Sequence, residues 1–192
     1  MNNLHTVSAR VANWNSKRYD RIYDQGLALR LLREEYREWL EADKPVDKLD
    51  ALCDITYVAL GVVWKAEISF EDMQEGFEAA HEVILSLVDN LEVNPAYLIS
   101  TLLDVYEFEN EMPLSDSIGK VILAAGTQAM GMGLTWEQFM DACIVVCDSN
   151  DSKSIKGKVA ANVKANDKDK GAYFVPPEPR LQLILDKAVS FN

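Results

Sequence analysis

Four acidic residues have the type and spacing to do chemistry together. Glu35 and Glu38 are three positions apart, and Asp50 and Asp54 are four apart. On a helix, residues at those spacings share one side, so each pair presents two carboxylates in one direction. Carboxylate oxygens are the hard ligands that magnesium takes while leaving positions open for water and phosphate. The plain alternative is a solvated acidic face. Asp54 resists that alternative, because it lies between Cys53 and Ile55 in a mostly apolar segment, 51–63. An unpaired carboxylate beside a core is costly, and clustered carboxylates raise one another's pKa. A bound divalent cation removes both penalties. On spacing and context alone, both the metal site and the acidic surface stand.

The two pairs can meet only if their elements do. Leu27, Leu31, Leu32, Tyr36, Trp39 and Leu40 recur at helical intervals, which predicts a helix over about 24–42. Leu49, Leu52, Cys53, Thr56, Tyr57, Leu60 and Val63 predict a second over about 46–65. Pro45 marks the break between them. A link this short forces antiparallel neighbours, so the acidic pairs can converge across one groove.

Further helix starts are signalled at Ser69, at Asn94-Pro95, and at Ser115 or Asp116. Thr135 with Gln138 reads as a capping box. No alternating strand pattern occurs before residue 150, so the predicted class is all-α. The first twenty residues are polar and mixed, with Trp14 and Tyr19 as anchors. Periodicity lapses over 149–169, where lysine, asparagine, aspartate and serine dominate, and this reads as a long loop or arm. Residues 171–177 carry aromatic and proline anchors, and a short helix over about 179–190 closes the chain.

Acidic residues number 31 against 19 basic ones, a net charge of −12. Such a surface repels nucleic acid backbones. No apolar run is long enough for a membrane span. Residues 1–10 lack the basic-then-apolar order of a secretory signal, which makes the cytoplasm the expected compartment. Cys143 and Cys147 sit four apart in an apolar run, and with Cys53 they read as buried free thiols. His5 and His81 lie far from them in sequence, which argues against zinc.

Two separated stretches resemble a known family. Glu34-Glu35-Tyr36-Arg37-Glu38, followed by Asp47-Lys48-Leu49-Asp50-Ala51-Leu52-Cys53-Asp54-Ile55-Thr56-Tyr57, is similar to the MazG-like and phosphoribosyl-ATP pyrophosphohydrolase-like families of the all-α NTP pyrophosphatases. Downstream, Ser149-Asn150-Asp151-Ser152-Lys153, then Lys170-Gly171-Ala172-Tyr173 and Pro176-Pro177, resembles the tail of phage and bacterial members.

The resemblance implies an antiparallel helix bundle forming one domain over 1–192. It implies a helical pair inserted at 66–117 and an irregular arm over 149–178. It assigns Glu35 and Glu38 a catalytic role, and Glu35, Glu38, Asp50 and Asp54 a magnesium site in which manganese can substitute. Asn150, Lys153, Lys170 and Tyr173 would touch substrate. The pattern departs at Ala51, where the family has a glutamate, and Asp50 is the nearest substitute. The implied reaction is hydrolysis of a nucleoside triphosphate to monophosphate and pyrophosphate, by a homodimer or homotetramer with no nucleic acid or membrane partner. The rival class is an acidic binding protein: a DNA mimic, or a relative that binds nucleotide without turnover.

Overall fold

In the computed structural model the three- and four-residue apolar spacing becomes helix wherever the chain is described. No strand occurs among the described residues, which are 2–78, 98–108, 113–153 and 170–189. The helices are α1 (Asn2–Arg18), α2 (Gln25–Glu41), α3 (Pro45–Lys65), α4 (70–78), α5 (Leu98–Phe108), α6 (Leu114–Gly131), α7 (Trp136–Asp151) and α8 (Glu178–Val189).

Local chemistry sets their ends. The Asp24 side chain accepts from the Leu27 N–H at 2.8 Å and starts α2. Pro45 opens α3, where a missing N–H costs nothing. The Ser69 hydroxyl accepts from the Asp72 N–H at 3.0 Å and starts α4. The capping box at Thr135 and Gln138 closes with bonds of 3.2 and 2.8 Å. Gly133, with φ of 93°, makes the left-handed turn between α6 and α7 that a side chain would strain.

Helix α3 is the centre of the bundle and packs against α1, α2, α6, α7 and α8. Its Leu49, Leu52, Ile55 and Leu60 are fully buried, each contributing roughly 1.5–3 kcal/mol from removal of apolar surface. The short link after Glu41 lays α2 back along α3, as predicted. At the α4–α6 crossing the backbones touch, since a Cβ built on Gly119 would lie 2.7 Å from the Phe77 nitrogen. No described helix is long and apolar enough to cross a membrane. Cys53, Cys143 and Cys147 are buried and free.

The fold departs from the sequence reading at three places. Residues 2–18, read as polar and mixed, form α1, which buries Leu4, Val7, Val11 and Trp14 along one stripe. Helix α6 starts at Leu114, one residue before Ser115. Helix α7 runs on to Asp151, so Ser149 and Asn150 belong to its last turn and not to an arm. The helix start at Asn94-Pro95, His81, and most of the arm, 154–169, lie outside the described residues.

Candidate active site

The α2–α3 hairpin, the end of α1 and the end of α7 enclose a cavity of about 200 Å³. Glu35 and Glu38 from α2 and Asp54 from α3 line it. Glu35 is 4% exposed. Asp54 is half-buried and Glu38 is exposed at the mouth. The convergence of carboxylates from both arms of the hairpin, expected from spacing, is thus seen for three of the four.

Asp50 does not line the cavity. It lies one turn before Asp54 with its Oδ1 buried and without a hydrogen-bond partner. Burial pushes its carboxyl up to about 7, and the nearby charges of Glu178, Glu35 and Glu38 push the same way, against Lys153. Glu178 is a residue the sequence did not point to. It belongs to the first turn of α8, and only the packing of α8 on α3 brings it near Asp50.

The end of α7 supplies the polar counterpart. Asn150 and Lys153 both line the cavity, and the Lys153 ammonium donates to Asn150 Oδ1 at 2.6 Å. Lys153 is held below its ordinary lysine value, first by burial and then by Lys170 and Arg18, while Asp54 and Asp50 draw it up. The positive groups therefore sit within electrostatic reach of the acidic ones. Lys170 is exposed, with its ammonium 5.4 Å from the Phe174 ring. Tyr173 is 90% exposed and does not line the cavity, so the structure brings Asn150 and Lys153 to the site but not Tyr173.

Aromatic rings wall the remaining space. Trp14 meets Tyr57 edge-on at 5.9 Å and Tyr19 at 5.8 Å, and its indole N–H donates to the Asn150 carbonyl at 2.9 Å. Trp39 stacks on Tyr36 at 5.8 Å and is not part of the lining. Asn15, Asp24 and Lys65 also line the cavity. Asn15 is buried and donates to the Val11 carbonyl at 2.9 Å. Asn15 and Tyr19 went unnoticed as site residues because α1 was not read as a helix. The signal was there in the spacing of Leu4, Val7, Val11 and Trp14.

The donor set suits a hard divalent cation in type, and the orphaned Asp50 oxygen beside the other carboxylates fits one as well. As the side chains stand, no three acidic, histidine or cysteine groups among the described residues are gathered closely enough to enclose an ion. An ion held there would need side-chain rotation, which the exposed Glu38 at the mouth can make within its staggered rotamers.

No curated protein and no solved structure gives a significant match to the chain. One family model matches over residues 4–81, and its description is phosphoribosyl-ATP pyrophosphohydrolase. The match takes in α1, α2 and α3, and hence Glu35, Glu38, Asp50 and Asp54, but stops well before Asn150 and Lys153. It points to a pyrophosphohydrolase-type activity on nucleotides, that is, a hydrolase acting on acid anhydrides. Residues 4–81, which include the acidic hairpin, are thus similar to the phosphoribosyl-ATP pyrophosphohydrolase family.

Proposed function

We propose that the chain is a magnesium-dependent pyrophosphohydrolase that cuts a nucleoside triphosphate at the α-phosphorus, giving a monophosphate and pyrophosphate. The supporting observation is one cavity lined by Glu35, Glu38 and Asp54 on one side and by Asn150 and Lys153 on the other. Glu35, Glu38 and Asp54, with Asp50 behind them, would hold magnesium, with manganese able to replace it. Bound there, the cation would neutralise phosphate charge and lower the pKa of an attacking water. Glu38, exposed at the mouth, is placed to accept a proton from a water entering from solvent. Lys153 offers positive charge to the phosphate oxygens and is itself oriented by Asn150. Trp14, Tyr19 and Tyr57 offer apolar ring surface to the base and sugar.

The tail residues Asn150 and Lys153 lie outside the family match, so their substrate role rests on this geometry and on the tail resemblance. Assembly as a homodimer or homotetramer is proposed from the resemblance, and light scattering reads it directly.

The test is pyrophosphate release from individual ribo- and deoxynucleoside triphosphates with magnesium, comparing the parent with Glu38→Gln. The proposal expects release from at least one nucleotide and a loss of at least about 100-fold in the variant, the scale of a positioned proton acceptor. An acidic DNA mimic, or a nucleotide binder without turnover, predicts no release from the parent.

A further inference from the structure

The turn that ends α7 is gripped from three directions. Asp148 gives one carboxylate oxygen to Arg10 of α1, at 2.6 Å, and the other to Arg180 of α8, also at 2.6 Å. Arg10 uses its second terminal nitrogen on Asp151, at 2.5 Å. The Ser152 hydroxyl donates to the Ser149 carbonyl at 2.6 Å and accepts from the Val175 N–H at 2.9 Å, which ties the following segment to the same turn. The Trp14 indole holds the Asn150 carbonyl from below. Asn150, in the last turn of α7, and Lys153, two residues past its end, both line the cavity and are set by this one turn.

Ion pairs as exposed as these contribute little to stability, so energy alone does not account for the convergence. Geometry does. A planar guanidinium with two terminal nitrogens can span two carboxylates and fix their separation, which a lysine ammonium cannot. With Asp148 and Asp151 fixed, the backbone between them, including Asn150, has one orientation relative to α1 and α8.

We propose that Asp148, held between Arg10 and Arg180, is a positioning residue that sets Asn150 and Lys153 for substrate binding. It acts through those two side chains and does not itself reach the cavity. The inference rests on the reading that Asn150 and Lys153 touch the nucleotide.

The experiment compares Asp148→Ala, Lys153→Ala and the double variant in pyrophosphate release with magnesium and a mixture of deoxynucleoside triphosphates. Asp148→Ala is expected to raise the apparent KM roughly 10-fold with kcat changed by less than about threefold, since a small misplacement of a binding group is enough for that loss. Added to Lys153→Ala, it should cost less than it does alone, because the part of its effect that runs through Lys153 is already gone. Arg10→Lys, which keeps the charge but not the fork, should fall between parent and Asp148→Ala. An unchanged KM in Asp148→Ala, or additive losses in the double variant, overturns the proposal. If the parent cuts no nucleotide, the functional reading fails, and the clamp is judged separately by NMR. Exchange of the Trp14 indole N–H is then expected to be about 10-fold faster in Asp148→Ala than in the parent, and unchanged exchange overturns the clamp.

Discussion

Replacing Asp50 by asparagine should stabilise the metal-free protein at neutral and mildly alkaline pH. Asp50 has its carboxyl raised from 3.8 to about 7, first by burial and then by Glu178, Glu35 and Glu38, against the opposing charge of Lys153. Below about pH 3 the acid is protonated in both folded and unfolded chains, and the shift contributes nothing. As pH rises, the unfolded chain releases the proton first, so the folded state loses stability until both forms are ionised above about 7. At about 1.4 kcal/mol per unit, the full shift corresponds to a ceiling of about 4 kcal/mol. Partial exposure of the residue and screening reduce this, and a gain of about 1–3 kcal/mol at pH 8 is expected. Asparagine resembles the protonated acid in shape and never ionises. Its advantage over aspartate should therefore grow from pH 5 and level off above about 7. Denaturant unfolding with a chelator present, at several pH values from 5 to 8, measures this. In a chain of this size each kcal/mol moves the midpoint by roughly 2–4 °C, so thermal melting serves as a second reading. A gain that does not vary with pH, or a loss at pH 8, would show that Asp50 is not a buried carboxylate pressed by its neighbours.

Three further outcomes follow from the packing and the exposure of individual residues. Glu38→Gln should leave the thermal midpoint within about 1–2 °C of the parent even though it removes activity, because Glu38 is exposed and away from the core. Gly126→Ala should destabilise by about 1–3 kcal/mol in denaturant unfolding. Its Cβ would collide with the Trp136 ring, 2.8 Å from Cε3, and that ring is hemmed in by Phe77 and Phe139. Gly131→Ala, at the end of the same helix, should instead stabilise by up to about 0.5–1 kcal/mol. A methyl there meets nothing within 4 Å.

Helices α2, α3, α7 and α8 were legible because apolar spacing, a short link at Pro45 and a capping box at Thr135 all agree with the tertiary fold. Helix α1 was not read, because its buried stripe of Leu4, Val7, Val11 and Trp14 is thin and the residues between are polar. The acidic hairpin was legible to within one residue. Asp50 and Asp54 share a side of α3, yet only Asp54 reaches the cavity. The four-residue step turns them about 40° apart on the helix, and the first turn of α8, with Glu178, lies on the Asp50 side. Nothing local in the sequence reveals that docking of α8, just as nothing local brings Arg10 and Arg180 to Asp148. Asn150, which lines the cavity, was assigned to an arm. The apolar run Val145-Val146-Cys147 is buried and carries helix α7 through it, and the Ser152 N–H closes the helix onto the Asp148 and Ser149 carbonyls.

In the proposed reaction, carboxylates from α2 and α3 direct water onto the α-phosphorus of a nucleoside triphosphate. Hydrolysis in water enriched in oxygen-18, with magnesium and a nucleotide the protein accepts, reads this bond by bond through mass spectrometry of the products. Attack at the α-phosphorus leaves one labelled oxygen in the nucleoside monophosphate and none in the pyrophosphate. Label in pyrophosphate or orthophosphate, or no cleavage of any nucleoside triphosphate, would contradict it.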